Sequence, residues 1–268
     1  MSFYVNRTGT LEYLTSDLLQ GTAHCFSTRF GGVSEGELSS LNLGVHRGDR
    51  PANVLENYRI LGRAVGFKPR QTVFTRQIHS AIVERVGREQ CGRGLIVPTE
   101  EGCDGLVTDE SGVALTVFSA DCTPILLYDP VKRVIGAVHA GWRGTAAGIA
   151  EKAVRKMQRE FGCTPSDLRA AIGPCISQCC FETDADVPNA MRAALGAEAE
   201  KAIRPAGEKY YVNLKECNAL WLRRAGVEMI DISADCTACQ PERFWSHRRV
   251  GNHRGSLAAV IMLQGERT

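Results

Sequence analysis

Residues 119–144 read SADCTPILLYDPVKRVIGAVHAGWRG and contain the pattern that decides the fold. Two apolar runs flank residues 129–132, and the aspartate and proline there are typical of a four-residue hairpin loop. The segment therefore predicts two antiparallel strands, and counting outward from this loop places Cys122 directly opposite His139. Opposed Cβ atoms lie roughly 4.5–5.5 Å apart in such a pair. A thiolate and an imidazole at that separation can share one metal ion, since Zn–S bonds measure ~2.3 Å and Zn–N bonds ~2.0 Å.

His79 in the segment QIHS is the best candidate for a third ligand. It follows a strand-like run, which we expect to lie in the same sheet as the hairpin. Three protein ligands leave one tetrahedral position open for water or substrate, which distinguishes a catalytic zinc site from a structural one. The simpler alternative is that His79 and His139 are hydrogen-bonded residues at strand ends and that Cys122 is a small core residue. Spacing alone leaves both interpretations open.

Length and composition indicate one globular domain spanning residues 1–268. The chain has 44% hydrophobic and 23% charged residues, and no linker, repeat or low-complexity tract divides it. A net charge of +2 gives no general reason to bind nucleic acid or a membrane. The N-terminus does not read as a signal peptide and the longest apolar runs are too short to span a bilayer, so we expect a soluble, cytoplasmic protein. The eleven cysteines are then expected to be reduced thiols.

The periodicity of apolar residues predicts strands that run together with helices inserted between them. Strands are expected at 22–27, 168–173 and 257–263 and in six runs between 71 and 138, and helices at 53–65, 145–161, 185–196 and 214–225. Pro51 and Gly66 mark the start and the end of the first helix. Because strands and helices do not alternate regularly, the pattern favours an α+β layered fold over a doubly wound parallel sheet.

Eight motifs follow one another along nearly the whole chain: TRFGGVSEG, SLNLGVHRGD, ENYR, QIHS, SADCTPILLYDP, HAGWRGTAAGI, IGPCI and WSHRR. On these motifs the sequence resembles the YfiH-like, laccase-domain-containing family, whose bacterial members were first labelled polyphenol oxidases. The resemblance implies an α/β/β/α sandwich, distantly similar to a cysteine-hydrolase toxin domain, and zinc bound by His79, Cys122 and His139. The implied activities are phosphorolysis of adenosine, inosine, guanosine and methylthioadenosine and deamination of adenosine. At least one bacterial relative is associated with the editing of peptidoglycan precursors.

Two local features depart from the family pattern. The C-terminal motif usually reads FSYRR and here reads WSHRR, so His247 replaces an aromatic hydroxyl. A Gly-Arg pair of the relatives appears here as Arg254-Gly255. Both departures put local substrate contacts in doubt and leave the three metal ligands intact.

Phosphorolysis requires a bound phosphate dianion, and the candidates for binding phosphate or substrate are Asn42, Arg59, Arg143 and Arg248 with its neighbour Arg249. Arg59 lies in ENYR, and the resemblance implies that family members keep it. Arg143 precedes a predicted helix N-terminus, where free N–H groups suit an anion and Thr145 is expected as the N-cap. Arg29 and Arg47 are expected to be surface or ion-pair residues.

The other cysteine motifs favour structural roles. Cys175 in IGPCI ends a predicted strand, and because no histidine has a telling spacing from it, a buried cysteine is favoured over a nucleophile. Cys236 and Cys239 form a C-x-x-C pair followed by His247 and His253, which suggests a zinc finger. The gap of seven residues between Cys239 and His247 is shorter than the ~12 of such a site. Packing of these cysteines near the final strands is therefore favoured.

Two aspartates lie near the predicted ligands in the sequence. Asp121 precedes Cys122, so on a strand its side chain points to the opposite face, which favours a structural or supporting role over metal ligation. Asp104 in CDGLVT is a candidate acid or hydrogen-bond acceptor.

Three other function classes stay open beside a zinc-dependent nucleoside phosphorylase. A multicopper polyphenol oxidase needs roughly ten imidazoles, and this chain has six histidines. A cysteine hydrolase would use Cys122 as nucleophile and His139 as base on an amide, such as one in a cell-wall precursor. A non-catalytic nucleoside-binding module is the third class. The expected partners are purine nucleosides and phosphate, with no nucleic acid and no membrane, and the oligomeric state is open, with a homodimer among the options.

Overall fold

The computed structural model describes residues 3–100 and 102–265. Fifteen strands lie within these ranges: β1 Phe3–Thr8, β2 Leu11–Ser16, β3 Thr22–Ser27, β4 Thr72–Val73, β5 Val83–Arg85, β6 Gly105–Thr108, β7 Ala114–Ser119, β8 Thr123–Asp129, β9 Val134–Ala140, β10 Arg169–Ile172, β11 Glu182–Thr183, β12 Ile203–Ala206, β13 Lys209–Val212, β14 Met229–Ile232 and β15 Leu257–Leu263. The same ranges contain six α-helices: α1 Pro51–Val65, α2 Trp142–Ala146, α3 Ile149–Phe161, α4 Asp186–Leu195, α5 Leu214–Arg224 and α6 His247–Val250.

Two six-stranded sheets form the centre of the fold. Their strand orders are β1-β2-β3-β15-β7-β4 in the first sheet and β14-β10-β8-β9-β6-β5 in the second, and β11-β13-β12 form a small third sheet. Side chains alternate between layers along the buried strands: Val260 packs toward α1, whereas Ile261 packs between the sheets. On the second sheet Leu126 faces the first sheet and Leu127 faces α3 and α5. The α+β class and the α/β/β/α sandwich are therefore confirmed.

Helix α1 covers the outer face of the first sheet, as its sequence pattern predicts. Val54, Tyr58 and Leu61 recur on one side of the helix and are buried. Pro51 occupies the first helical turn, where its missing N–H costs nothing. Gly66 ends the helix in the left-handed conformation with φ 104°, which glycine adopts without steric cost.

The central hairpin forms, but its predicted register is wrong by two residues. His139 lies opposite Pro124 and not Cys122, which precedes the first residue of β8. The Asp129 carboxylate accepts two backbone N–H groups of the following loop, both at 2.9 Å. This bonding keeps Asp129 in the strand and moves the four-residue loop to 130–133. A shift of two residues leaves every side chain on its predicted face.

The single helix predicted at 145–161 is two helices. Gly148, with φ 72°, separates α2 from α3. Thr145 lies inside α2 and is not an N-cap; its hydroxyl accepts a hydrogen bond from Asn218 at 3.0 Å. The predicted end at Gly162 is confirmed. None of the helices in the described ranges has the length and apolar character needed to cross a membrane.

Two strands precede the one expected first in the chain. The strand predicted at 22–27 is β3, and β1 and β2 form a hairpin before it. Most residues of β1 are exposed or half-buried, so this edge strand lacks the apolar run by which the inner strands were predicted.

Candidate functional site

His79 and Cys122 lie on two chain segments that cross from the first sheet to the second. Strands β4 and β7 pair in parallel, so the chain leaves the first sheet at the same end after each of them. It then enters the second sheet as β5 after His79 and as β8 after Cys122. The expectation that the strand before His79 belongs to the sheet of the hairpin is therefore wrong. The parallel pairing of β4 and β7 is what brings the two side chains together.

His139 reaches the same point from β9, which runs antiparallel to β8 and ends where β8 begins. Cys122 Sγ lies 3.9 Å from His79 Nε2, and the centroids of the two imidazole rings are 5.0 Å apart. One ligand atom from each residue lies within 4.8 Å of the other two. A tetrahedral zinc ion holds sulfur and nitrogen ligands about 3.5 Å apart. The three side chains therefore fit a metal ion after only a small closing movement.

Asp104 is the buried hydrogen-bond acceptor that orients this site. Its Oδ1 accepts His139 Nδ1–H at 2.8 Å and the backbone N–H of His79 at 3.0 Å, and its Oδ2 accepts the N–H of Ser80 at 2.7 Å. The bond to Nδ1 selects the tautomer whose Nε2 is free to bind a metal. The bonds to the loop hold His79 at φ 58°, a left-handed conformation that costs a non-glycine residue about 1–2 kcal/mol.

Gly141 allows the ligands to approach one another. A Cβ atom at this position would lie 2.8 Å from Cδ2 of His79 and 3.2 Å from Sγ of Cys122. These contacts are closer than ordinary van der Waals packing permits, so any side chain at Gly141 would displace a ligand. Gly141, the first glycine of HAGWRG, is therefore required for His79 and Cys122 to lie this close together, and not only for the turn before α2.

The charges of the three groups depend on one another. Burial favours the neutral thiol of Cys122, but the adjacent His139 and His79 outweigh burial and lower the pKa of Cys122 to about 6. Burial also disfavours protonated His139, but Cys122 and Asp104 raise its pKa to about 9. Hydrogen bonds from His139 and Ser80 overcome burial and lower the pKa of Asp104 to about 2. A thiolate both binds metals and acts as a nucleophile, so the electrostatics suit either chemistry.

The three side chains line a cavity of ≈ 470 Å³ that Arg47 and Arg254 also line. Small-molecule sites typically measure ~300–1,000 Å³. Arg254 is buried, and burial together with the charge of Arg47 lowers its pKa to about 10. Its Nε has no hydrogen-bond partner among the described residues. Two neighbouring guanidinium groups in a cavity wall suit an anionic ligand.

Asn42 holds the loops that carry these arginines but does not line the cavity. It is fully buried, and its Oδ1 accepts the N–H of Gly44 at 2.9 Å and the N–H of Ser256 at 3.0 Å. Gly44 and Ser256 both lie in the cavity wall. The structure thus places Asn42 behind the anion-binding candidates and out of reach of a ligand in the cavity.

The three arginines predicted to bind substrate or phosphate lie elsewhere. Arg59 is exposed on α1 and pairs with Glu56 at 3.1 Å. Arg143 is exposed and lies over the Trp142 ring at 4.2 Å. Arg248 donates to two backbone carbonyl groups. Arg47 and Arg254, which line the cavity, were not among the predicted phosphate-binding residues. Arg47 was expected to be a surface or ion-pair residue. For Arg254, the altered Arg254-Gly255 pair was the sequence feature that pointed to the site.

The remaining candidates have structural positions. Arg29 donates to two backbone carbonyl oxygens and lies over the Trp245 ring at 3.7 Å. Cys175 is buried, and burial raises its pKa to about 11, which disfavours a nucleophilic role. The Asp121 carboxylate accepts the Thr237 hydroxyl and a backbone N–H, in agreement with the structural role predicted for it.

The zinc-finger arrangement of the C-x-x-C pair does not form. His247 bonds the carbonyl group of Gly251 at 3.0 Å, and His253 pairs with Glu37 at 3.2 Å. Cys236 and Cys239 lie instead beside Cys179 and Cys180, a grouping that their spacing in the sequence does not predict.

Comparison with known proteins agrees with this architecture. The family model described as "Multi-copper polyphenol oxidoreductase laccase" matches residues 23–264. The chain is 38% identical to the curated purine nucleoside phosphorylase YlmD of Geobacillus stearothermophilus over 90% of each chain. It is 34% identical to the purine nucleoside phosphorylase YfiH of Escherichia coli over 91% of this chain and 95% of that protein. 

Solved structures of relatives have the same fold. The crystal structure of YlmD from Geobacillus stearothermophilus matches with a TM-score of 0.92 at 35% identity and covers 97% of this chain and 99% of that one. The hypothetical protein YfiH of Bacillus licheniformis matches with a TM-score of 0.92 at 32% identity over the same shares. The ordered motifs, the sandwich and these matches together show that the chain belongs to the laccase-domain family of YfiH-like and YlmD-like proteins.

Proposed function

We propose that this chain is a purine nucleoside phosphorylase that binds zinc through His79, Cys122 and His139. The observation that carries the proposal is that these ligands and the paired guanidinium groups of Arg47 and Arg254 open into one cavity. The names of the curated relatives support a nucleoside and phosphate as the reactants. Adenosine, inosine, guanosine and methylthioadenosine are the proposed substrates. The cytoplasmic location, the single domain and the homodimer stay predictions.

Arg47 and Arg254 are the proposed phosphate ligands. Two cations held together in a partly buried place repel each other unless an anion lies between them. A phosphate dianion accepts paired hydrogen bonds from guanidinium groups, and both arginines line the cavity. Arg47 is fixed by a bond from its Nε to Ser256 Oγ at 3.1 Å. The pair therefore supplies positive charge for phosphate at one side of the cavity.

The metal set fits zinc better than a cluster of copper ions. One thiolate and two imidazoles are ordinary zinc ligands, and three protein ligands leave one position for substrate. When bound, zinc polarises an atom that gains negative charge. A multicopper oxidase needs roughly ten imidazoles, and His79 and His139 are the two histidines of this cluster. We therefore propose zinc here, although the description of the family model names copper.

The cavity suits phosphorolysis more than deamination. In phosphorolysis the purine leaves while phosphate attacks the anomeric carbon, and the sugar gains positive charge. The chain must hold the two reactants and exclude water, and Phe74 and Phe118 supply apolar surface in the cavity wall. A zinc deaminase also needs a carboxylate that transfers protons. No Asp or Glu occurs among the described residues of the wall, so adenosine deamination is proposed only as a secondary activity.

A cysteine hydrolase is the second candidate, because Cys122, His139 and Asp104 follow one another as nucleophile, base and orienting acid do in cysteine proteases. The His139–Asp104 bond of 2.8 Å supplies the fixed imidazole that such chemistry needs. The exposed imidazole of His79 beside the thiol has no role in a hydrolase of this kind. Activity on amides without a metal would identify the protein as this hydrolase.

Base release from inosine, measured by chromatography with and without phosphate, tests the proposal. We expect release only with phosphate, and loss of the zinc of this cavity and of activity in Cys122→Ala but not in the control Cys91→Ser. Arg254→Gln should raise the KM for phosphate by roughly tenfold or more, since a charge-assisted hydrogen bond contributes about 1.5–3 kcal/mol. Arg59→Gln is the matched control and should leave that KM unchanged.

Two results would contradict the proposal. Phosphate-independent release, or an Arg254→Gln enzyme with an unchanged KM for phosphate, would remove the phosphate site. An enzyme that survives chelation and is inactivated by thiol alkylation would instead be the metal-free hydrolase.

A further inference from the structure

Four cysteines from two separate loops meet at one end of the second sheet. Cys179 and Cys180 follow β10, and Cys236 and Cys239 follow β14. Because β10 and β14 are adjacent parallel strands, the chain leaves the sheet at the same end after each of them. A parallel bridge between Cys175 and Cys236 continues the pairing beyond the strands. The four sulfur atoms consequently lie within 4.8 Å of one another.

The sulfur–sulfur distances indicate ligands around a common centre. Cys239 Sγ lies 3.4 Å from Cys179 Sγ and 3.3 Å from Cys180 Sγ, and the latter two atoms are 3.8 Å apart. A disulfide bond measures ~2.05 Å, and all four cysteines are free thiols. A tetrahedral zinc ion with Zn–S bonds of ~2.3 Å holds its sulfur ligands about 3.8 Å apart. The observed spacing is therefore close to that of a tetrathiolate metal site.

The surroundings of the cluster suit its negative charge. Cys236 Sγ accepts the N–H of Ser177 at 3.3 Å. Lys215 is buried nearby and donates to the carbonyl oxygens of Ser233 and Asp235, both at 2.7 Å. Its third bond, to Ser177 Oγ, joins Lys215 to the residue whose backbone N–H reaches Cys236 Sγ.

Helix α6 joins the two cysteine loops. Arg248 donates to the carbonyl oxygen of Cys180 at 3.1 Å, and Arg249 donates to the carbonyl oxygen of Ala238. The two arginines of the WSHRR motif thus link α6 to both loops that carry the cysteines. They hold the loops in the geometry that four ligands require.

We propose that Cys179, Cys180, Cys236 and Cys239 bind one zinc ion in a closed, structural tetrathiolate site. Four protein ligands leave no open position, which is characteristic of structural zinc. A tetrahedral sulfur site also accepts iron; zinc is the better assignment because Cys179 and Cys239 are exposed to solvent and zinc undergoes no redox change there. This site does not depend on the proposed nucleoside chemistry.

The zinc supports the candidate functional site from outside the cavity. The hydroxyl of Thr237, within the C-x-x-C loop, donates to the carboxylate of Asp121. Asp121 directly precedes Cys122 and also accepts the backbone N–H of Arg248 at 2.8 Å. Fixing the C-x-x-C loop therefore fixes the backbone that presents Cys122.

Metal content of the full-length protein separates the two sites. By elemental mass spectrometry we expect two zinc ions per chain in the native protein, one in Cys122→Ala, and one in the Cys179→Ser/Cys239→Ser double variant. Cys91→Ser changes an unrelated thiol and His247→Ala removes the ligand of the zinc-finger alternative; both should keep two. Cobalt-substituted Cys122→Ala should show the intense visible bands of a tetrathiolate Co²⁺ site, and the cobalt-substituted double variant should lack them.

The Cys122→Ala protein keeps the proposal testable if the double variant does not fold. Removing its zinc with a chelator should make four further thiols reactive toward a thiol reagent. One zinc per native chain that is retained in Cys122→Ala supports the tetrathiolate site and counts against zinc in the nucleoside cavity. Cys122→Ala purified under reducing conditions without zinc, or with iron or a Cys179–Cys239 disulfide in its place, would overturn the proposal.

Discussion

Replacing Asp104 by asparagine tests whether one carboxylate organises the candidate functional site. The substitution keeps the shape of the side chain and removes its charge and one acceptor atom. In the native protein Oδ1 accepts from His79 and His139, and Oδ2 accepts the N–H and the hydroxyl of Ser80, both at 2.7 Å. Asparagine cannot reproduce this set, because one of its two polar atoms is a donor.

Each orientation of the amide breaks a different part of the network. With the NH₂ group in place of Oδ2, the backbone N–H of Ser80 faces another donor, and an unsatisfied buried donor costs about 1–3 kcal/mol. With the NH₂ group in place of Oδ1, His139 must accept at Nδ1 and carry its proton on Nε2, the atom that would bind the metal. We expect a loss of about 2–4 kcal/mol in the free energy of unfolding. Zinc affinity should fall by roughly 10–100-fold.

Competition with a chromogenic chelator measures the zinc affinity, and urea unfolding of zinc-free protein measures the stability. Asp109→Asn is the matched control, because Asp109 is exposed and pairs with Arg85 at 3.4 Å. It should change the free energy of unfolding by less than about 0.5 kcal/mol and leave the zinc affinity unchanged. An Asp104→Asn protein that binds zinc as tightly as the native protein would refute the orienting role of the carboxylate.

Three further substitutions test other parts of the structure. Gly141→Ala should lower the zinc content of the cavity site, because its Cβ would meet His79 and Cys122, whereas Gly265→Ala, with no atom within 4 Å of its Cβ, should not. Gly148→Ala should cost about 1–2 kcal/mol in urea unfolding because Gly148 has φ 72°, and an unchanged midpoint would contradict the break between α2 and α3. Burial lowers the pKa of His24 to about 4 from 6.5. Between pH 6.5 and 4, His24 is therefore protonated in the unfolded chain but neutral in the folded one. Stability should therefore fall by up to about 3 kcal/mol as the pH drops from 6.5 to 4, and His24→Gln, compared by urea unfolding across that range, should lose this part of the pH dependence; equal slopes would refute it.

The buried strands were predictable because burial on both faces produces continuous apolar runs. Strands β8, β9 and β15 are buried along their whole length, and each coincides with such a run. The register of the β8–β9 hairpin was not predictable from these runs. It depends on the side chain of Asp129, which accepts two N–H groups of the loop and keeps its own residue in the strand. The two-residue error preserved the faces, which is why Cys122 and His139 still lie close together.

The proposed metal ligands and the proposed anion-binding residues differ in how far the sequence predicts them. Cys122 directly precedes β8 and His139 lies near the end of β9, so the pairing of these two strands is enough to bring them close. Arg47 and Arg254 are 207 positions apart in the chain and lie on loops that Asn42 bridges. No spacing rule connects such residues. The arginines predicted from sequence motifs, such as Arg59 in ENYR, face solvent.

A buried carboxylate beside each ligand loop substitutes for the strand partners that these loops lack. Asp104 accepts three backbone N–H groups from the loop of His79, and Asp121, adjacent to Cys122, accepts the N–H of Arg248. A carboxylate has about four lone-pair directions, so one side chain satisfies several donors that a sheet would satisfy one by one. Because these bonds are charge-assisted, they are stronger than backbone pairs and hold irregular loops firmly. The same Asp104 charge stabilises protonated His139, and so the residue that makes the loop rigid also sets the electrostatics of the site. The candidate metal site lies on two segments that cross between the sheets. Its geometry is therefore set by the acidic residues beside His79 and Cys122 more than by the length of the strands before them.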